Sequence, residues 1–162
     1  MNAPHDKTPR PDAIAAANAG LTPQQVADKV RDGMWANDRA TRHLGMQIAA
    51  IGPGTATLTM VVREEMLNGH DTCHGGFIAT LADSAFAFAC NAGNEMTFAS
   101  GFAIDFIAPA RQGDTLTATC SEVSRAGRTG VYDVDVRNQS GERIAAFRGR
   151  SYAIKGRPVV GG

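Results

Sequence analysis

Residues 75–93, GGFIATLADSAFAFACNAG, are the longest apolar run in the chain and constrain its fold more than any other segment. At helical spacing the side chains of Phe77, Ile78, Leu81, Ala82, Ala85, Phe86, Phe88 and Ala89 leave no polar face. A helix of that kind has to be covered on all sides. The run is too short to span a bilayer, and Asp83 interrupts it, so the cover is expected to be protein rather than membrane.

The flanking sequence supplies the cover. TATLTMVV alternates, with Ala56, Leu58, Met60 and Val62 on one face and Thr55, Thr57 and Thr59 on the other. GPG at residues 52–54 turns this strand back onto MQIAAI. GFAIDFIAP puts Phe102, Ile104 and Phe106 on one face, and DTLTATCSEV does the same with Leu116, Ala118 and Cys120. GVYDVDVRN sets Tyr132, Val134 and Val136 against Asp133 and Asp135, and ERIAAFRGRSYAIK is the last strand. RAGRTG and NQSGE join the last three strands as an antiparallel meander. The expected fold class is α+β: a curved antiparallel sheet wrapped around one long helix, with a second subunit covering what the sheet leaves open.

Ahead of the strands, LTPQQVADKVRDGMWAND carries a helix start, with Thr22 as N-cap, Pro23 in the first turn and Gln25 placed for a capping box. Val26, Val30 and Met34 recur at helical spacing, and DRATRHLG predicts a short second helix ending at Gly45. Residues 1–20 read as a flexible tail, 21–155 as one domain and 156–162 as a C-terminal tail. With 162 residues, two domains are not expected. Sixteen acidic and sixteen basic residues balance, which argues against an electrostatic nucleic-acid binder. Cys73, Cys90 and Cys120 have no framework spacing and read as reduced thiols of a cytoplasmic protein; no export signal appears.

Asp83 is the anomaly in the apolar helix. It is either a structural carboxylate held by a backbone group or an arginine, or a functional one. His74, Gly75 and Gly76 open the same helix. There, unpaired backbone N–H groups could stabilise an oxyanion, or the glycines could serve only a tight turn. Gly75 and Asp83 are eight residues apart, roughly 12 Å along a helix axis. One carbonyl therefore cannot touch both in one chain. A shared site needs two antiparallel copies of the helix about a two-fold axis.

The preceding NGHDTCHGG, residues 68–76, fits no metal-ligand spacing, and no metal is expected. Cys73 as a nucleophile lacks an orienting triad, and His70 and Asp71 read as turn residues.

The combination Asn68, five intervening residues, His74-Gly75-Gly76 and then Leu81-Ala82-Asp83 closely resembles the phenylacetic acid degradation (PaaI-type) thioesterases of the hot-dog superfamily, over about residues 21–154. The resemblance implies a hot-dog fold and dimers that pair into tetramers. It implies that Asp83 is general base or nucleophile, supplied by the partner subunit, and that the Gly75 N–H polarises the thioester carbonyl. Asn68 would position the attacking group, and His74 would support the loop and the thioester. The substrate would be an acyl-CoA, phenylacetyl-CoA or a ring-hydroxylated relative, with no separate cofactor. Arg125, Gly127, Arg128 and Thr129 on the RAGRTG hairpin would bind the coenzyme A nucleotide, with Arg111, Arg148 and Arg150 as weaker candidates. Phe86, Phe88, Phe102 and Phe106 are candidates for an aromatic acyl pocket or for plain core. The competing functions are a fatty acyl-CoA or hydroxybenzoyl-CoA thioesterase, a hot-dog dehydratase or hydratase, and a non-catalytic acyl-CoA binding module.

Overall fold

The computed structural model describes residues 13–161. The elements in chain order are α1 (Ala13–Ala17), α2 (Pro23–Asn37), α3 (Arg39–His43), β1 (Gln47–Gly52), β2 (Thr55–Val61), α4 (Gly75–Asn91), β3 (Glu95–Phe106), β4 (Thr115–Ala126), β5 (Thr129–Arg137) and β6 (Arg143–Pro158). A single 3₁₀ turn, Glu64–Met66, leads into the loop before α4.

The six strands form one antiparallel sheet in the order β1-β2-β4-β5-β6-β3. The expected α+β arrangement is present, and α4 packs against all six strands. Alternation in the strands explains how. Leu58 and Met60 of β2, Leu116 and Ala118 of β4, Tyr132 and Val134 of β5, and Ala145 and Phe147 of β6 are buried beneath the helix. From α4 itself Ile78, Leu81, Ala82, Ala85, Phe86, Phe88 and Ala89 are buried. Gly149 of β6 is a close-approach position, because a Cβ there would lie 2.9 Å from the Phe86 ring. The outer face of the sheet is polar, with Asp135 bridging Arg137 and Arg143, and Asp133 pairing with Arg148.

The helix is not covered all round within one chain. Ala79, Thr80, Asp83 and Ala87, one stripe at helical spacing, stay only half-buried. β3, on the same side of the molecule, is an edge strand paired only with β6. It begins at Glu95, six residues before the alternation at Gly101 is readable. Bulges between Glu95 and Thr97 and between Ala99 and Gly101 break the two-residue period there.

Regular structure extends into both segments that the sequence reads as tails. Residues 1–12 of the expected N-terminal tail lie outside the described residues, but α1 falls within it, and Lys29 Nζ donates to the Ala17 carbonyl at 2.8 Å. At the other end β6 continues past residue 155 to Pro158, and Val159 and Val160 hydrogen-bond to Asn94. α1 buries no side chain, so it left no apolar period to read. The capping box of α2 is formed as expected, with Thr22 Oγ1 accepting from the Gln25 N–H and Gln25 Oε1 from the Thr22 N–H.

These two levels of structure predict different sensitivities. Leu81→Ala, in a fully buried position of α4, is expected to cost about 2–5 kcal/mol in urea unfolding, and Thr22→Ala about 1 kcal/mol. Equal losses for the two would contradict the placement of the core under α4.

Candidate active site

The head of α4 is built by the loop before it. Asn68 organises that loop: its N–H donates to the Thr72 carbonyl at 2.8 Å, and its Oδ1 accepts from the His70 N–H at 2.8 Å. Its Nδ2 donates to Thr72 Oγ1 at 3.0 Å. Asp71, at φ 54°, makes the left-handed step of the turn, which aspartate tolerates. His70 and Asp71 are turn residues, as their setting suggested. The Cys73 N–H donates to the Ala110 carbonyl and the His74 N–H to the Met66 carbonyl, both at 2.8 Å, which anchors the loop to the core.

His74 is the N-cap of α4. Its Nδ1 accepts from the Gly76 N–H at 3.0 Å, which places the proton of the neutral ring on Nε2. Its carbonyl accepts from the Phe77 N–H at 3.0 Å. The Gly75 N–H between them has no acceptor among the described residues. The cap thus spends its neighbours and leaves one donor free at the positive end of a 17-residue helix. Gly75 lies beneath the Phe106 ring, and a Cβ there would come within 2.7 Å of it, so any other residue would have to push the ring aside. Asn68, His74, Gly75 and Phe106 line one cleft of about 650 Å³.

Asp83 opens elsewhere. It lines a separate cavity of about 350 Å³ with Met34, Phe86, Ala87, Met96, Phe98 and Val159. Burial raises its pKa above the ordinary carboxylate value, and no arginine or hydrogen-bond donor offsets that. The structural reading of Asp83 required such a partner, and none is present among the described residues. Ser84 turns to the Thr41 hydroxyl at 3.2 Å rather than to a backbone carbonyl.

Of the four aromatic candidates, Phe86 lines the Asp83 cavity and Phe106 the Gly75 cleft. Phe88 is fully buried core, and Phe102 packs against Phe147 with ring centroids 4.8 Å apart. Nothing local in the sequence marks Met34, Met96, Phe98 or Val159 as site residues. Met34 follows the core-facing period of α2, and Phe98 lies inside the bulged stretch of β3. Val159 lies in the segment expected to be a tail.

The RAGRTG hairpin closes tightly, with Ala126 paired to Thr129 and Gly127 at φ 60° in the first loop position. Arg125 donates to Glu95 Oε2, so its charge is already matched. Arg128 donates to the Tyr152 hydroxyl at 3.0 Å and stacks over its ring, with no carboxylate against it. Thr129 Oγ1 donates to the Ala126 carbonyl at 3.1 Å. Neither cavity of the site reaches the hairpin in one chain. Among the weaker candidates, Arg148 is held by Asp133 through two bonds of 2.7 Å, and the Arg111 N–H donates to Asp114 Oδ2. The Arg150 side chain has no acceptor among the described residues.

Comparison with known proteins places this geometry. Residues 70–145 match the family model of the thioesterase superfamily. The chain is 46% identical over 123 residues to the acyl-coenzyme A thioesterase PaaI of Escherichia coli, covering 76% of this chain and 88% of that protein. The chain belongs to the thioesterase superfamily. The solved structure of the E. coli PaaI protein from the phenylacetic acid degradation operon superposes with a TM-score of 0.82 at 42% identity, covering 84% of this chain and 99% of that one. A mutant of the phenylacetic acid degradation protein PaaI from Thermus thermophilus superposes with a TM-score of 0.70 at 34% identity, covering 72% and 100%.

The sheet around α4 is therefore the hot-dog fold that the sequence resemblance implied, and this thioesterase is a thioester hydrolase. Such chemistry needs a donor for the carbonyl oxygen and a base or nucleophile for the carbonyl carbon. Cys73 is not equipped for the second role, since burial pushes its thiol up to about 11. Among the described residues no group of three histidine, cysteine or acidic side chains is arranged to hold a metal ion. Cys73→Ala is expected to keep kcat/KM for a thioester substrate within about threefold of the wild type, and iodoacetamide at pH 7.5 to leave the wild type active. A loss of a hundredfold or more with the fold intact would return Cys73 to the mechanism.

Proposed function

We propose that this thioesterase hydrolyses phenylacetyl-CoA, or its ring-hydroxylated relatives, to the free acid and coenzyme A, as a homodimer whose active sites are shared between subunits. The observation that carries the reading is the pairing of two unspent groups on one helix. The Gly75 N–H heads α4, and Asp83 sits on its open stripe, in separate cavities of the same chain.

The edge strand supports the shared site. Phe98, Phe102, Phe106 and Ile107 are 57%, 44%, 53% and 55% exposed on and beside β3, an apolar edge that a monomer would leave open to aggregation. Phe98 lies at the Asp83 cavity and Phe106 at the Gly75 cleft. A two-fold axis near Phe102 would pair two β3 edges antiparallel and set residue 98 of one copy near residue 106 of the other. The same axis would lay the two α4 helices antiparallel, with Asp83 of one beside Gly75 of its partner. Such dimers pair further into tetramers in our reading.

In that site the Gly75 N–H polarises the thioester carbonyl at the positive end of its helix. Asp83 removes a proton from a water that attacks the carbonyl carbon. The tetrahedral intermediate expels the coenzyme A thiolate, which takes the proton back from Asp83. Direct attack by Asp83 to give an anhydride, then cleaved by water, uses the same residues. Asn68 and His74 hold the loop that presents Gly75, and Asn68, whose Nδ2 donates to Thr72 Oγ1, positions the attacking group. Coenzyme A is the leaving group, and the chemistry draws on no resident cofactor. For its phosphates Arg128 is the better placed arginine of the hairpin, because Arg125 is paired with Glu95; Gly127 and Thr129 shape the tip. We place the protein in the cytoplasm, a compartment that suits its three free buried cysteines. No described helix is long and apolar enough to cross a membrane.

A panel of phenylacetyl-, hydroxyphenylacetyl-, benzoyl- and straight-chain acyl-CoA substrates tests the assignment, and phenylacetyl or hydroxyphenylacetyl-CoA is expected to give the highest kcat/KM. A panel with no thiol release at high enzyme concentration would contradict it. Asp83→Asn is expected to lower kcat by roughly 10²–10⁴-fold while acyl-CoA still binds.

A further inference from the structure

The wall of the Asp83 cavity farthest along the chain comes from the last residues described, and it is held more firmly than a chain terminus needs. Val159 lines the cavity beside Met34 of α2 and Phe98 of β3. Its N–H donates to Asn94 Oδ1 at 3.0 Å, and the Val160 N–H donates to the same oxygen at 2.9 Å. Asn94 Nδ2 donates in return to the Val160 carbonyl at 3.1 Å and to Asn18 Oδ1 at 2.8 Å. Asn94 is 0% exposed and takes φ 63°, a conformation that asparagine adopts more readily than most residues. On the other side, a Cβ on Gly33 of α2 would sit 2.1 Å from Val160 Cγ1, so the helix is bare where the segment crosses it. Val159 and Val160 are clamped between Asn94 and the glycine surface of α2.

What it closes is apolar. Of the polar side chains on that cavity, Asn91 donates to the Ala87 and Thr97 carbonyls and accepts from the Thr97 N–H. The Thr97 hydroxyl donates to the Glu95 carbonyl. Asp83 is the one polar side chain there left without a partner. At about 350 Å³ the space lies at the small end of the range for ligand sites. A carboxylate, apolar walls elsewhere and a pinned segment among them suit a compact apolar acyl group rather than a long chain.

We propose that Val159, with Met34, forms the end wall of the acyl pocket and sets the size of acyl group accepted, and that Asn94 is the positioning residue that holds this wall. The inference rests on the thioesterase reading, and deepens it by assigning acyl selectivity to the C-terminal segment.

The test is a ratio of kcat/KM values for acetyl-, phenylacetyl- and 4-phenylbutyryl-CoA, each enzyme serving as its own reference. Val159→Ala should raise the 4-phenylbutyryl to phenylacetyl ratio by about tenfold, since one or two methylenes against an apolar wall are worth that much. Val159→Phe should lower the phenylacetyl to acetyl ratio by a similar factor. Asn94→Ala should shift the first ratio in the direction of Val159→Ala, a change in selectivity that simple loss of folded enzyme does not produce. Ratios within twofold of wild type in both Val159 variants would overturn the inference while leaving the thioesterase reading standing. A wild type that hydrolyses none of the three would overturn both.

Discussion

α4 has to be buried, yet the sheet of one chain can bury only part of it. Every other feature of the molecule follows from that mismatch. The six strands take the side carrying Ile78, Leu81, Ala85, Phe86 and Phe88. The stripe through Ala79, Asp83 and Ala87 and the aromatic edge of β3 remain on the same open side. An apolar edge and a half-covered apolar helix are costly for a lone subunit, and a second copy is the cover that matches both by symmetry. In the proposed dimer the active site is a by-product of that packing: the open side is also where, among the described residues, one carboxylate and one backbone N–H are left without bonds.

Those two unspent groups stand out because the surrounding polar groups are so fully used. His74 caps Gly76 and Phe77, Asn68 closes its own loop, and Asn91 and Thr97 satisfy each other. A carboxylate raised in pKa by burial alone is a standing cost to the fold. The proposed role as general base or nucleophile gives that cost a function. The same economy applies to Gly75, where a side chain would push against the Phe106 ring and crowd a free N–H at the head of the helix.

Much of this was legible in the sequence because it is local. The capping box at Thr22, the alternation of β2, β4 and β5, the all-apolar period of α4 and the eight-residue gap from Gly75 to Asp83 are each contained in a short window. What could not be read is non-local or irregular. The first half of β3 hides behind two bulges, and α1 buries nothing. Val159 reaches the Asp83 cavity, and Asn94 reaches Val159, only because β6 carries the chain back across the molecule. The hairpin arginines had the right residue type, but sequence could not show that Arg125 is neutralised by Glu95 while Arg128 is not.

The central claim is that one chain supplies Gly75 and another supplies Asp83 to the same thioester. Mixing inactive Asp83→Asn and Gly75→Ala homodimers, with subunit exchange confirmed by mass spectrometry, tests it directly. Alanine keeps the backbone N–H, so Gly75→Ala acts by crowding it beneath Phe106; in a hybrid dimer one site has both native residues and the other both substitutions. Random exchange at equal amounts should therefore restore about a quarter of wild-type phenylacetyl-CoA hydrolysis. A fully exchanged mixture that stays as inactive as its parents would contradict the shared site.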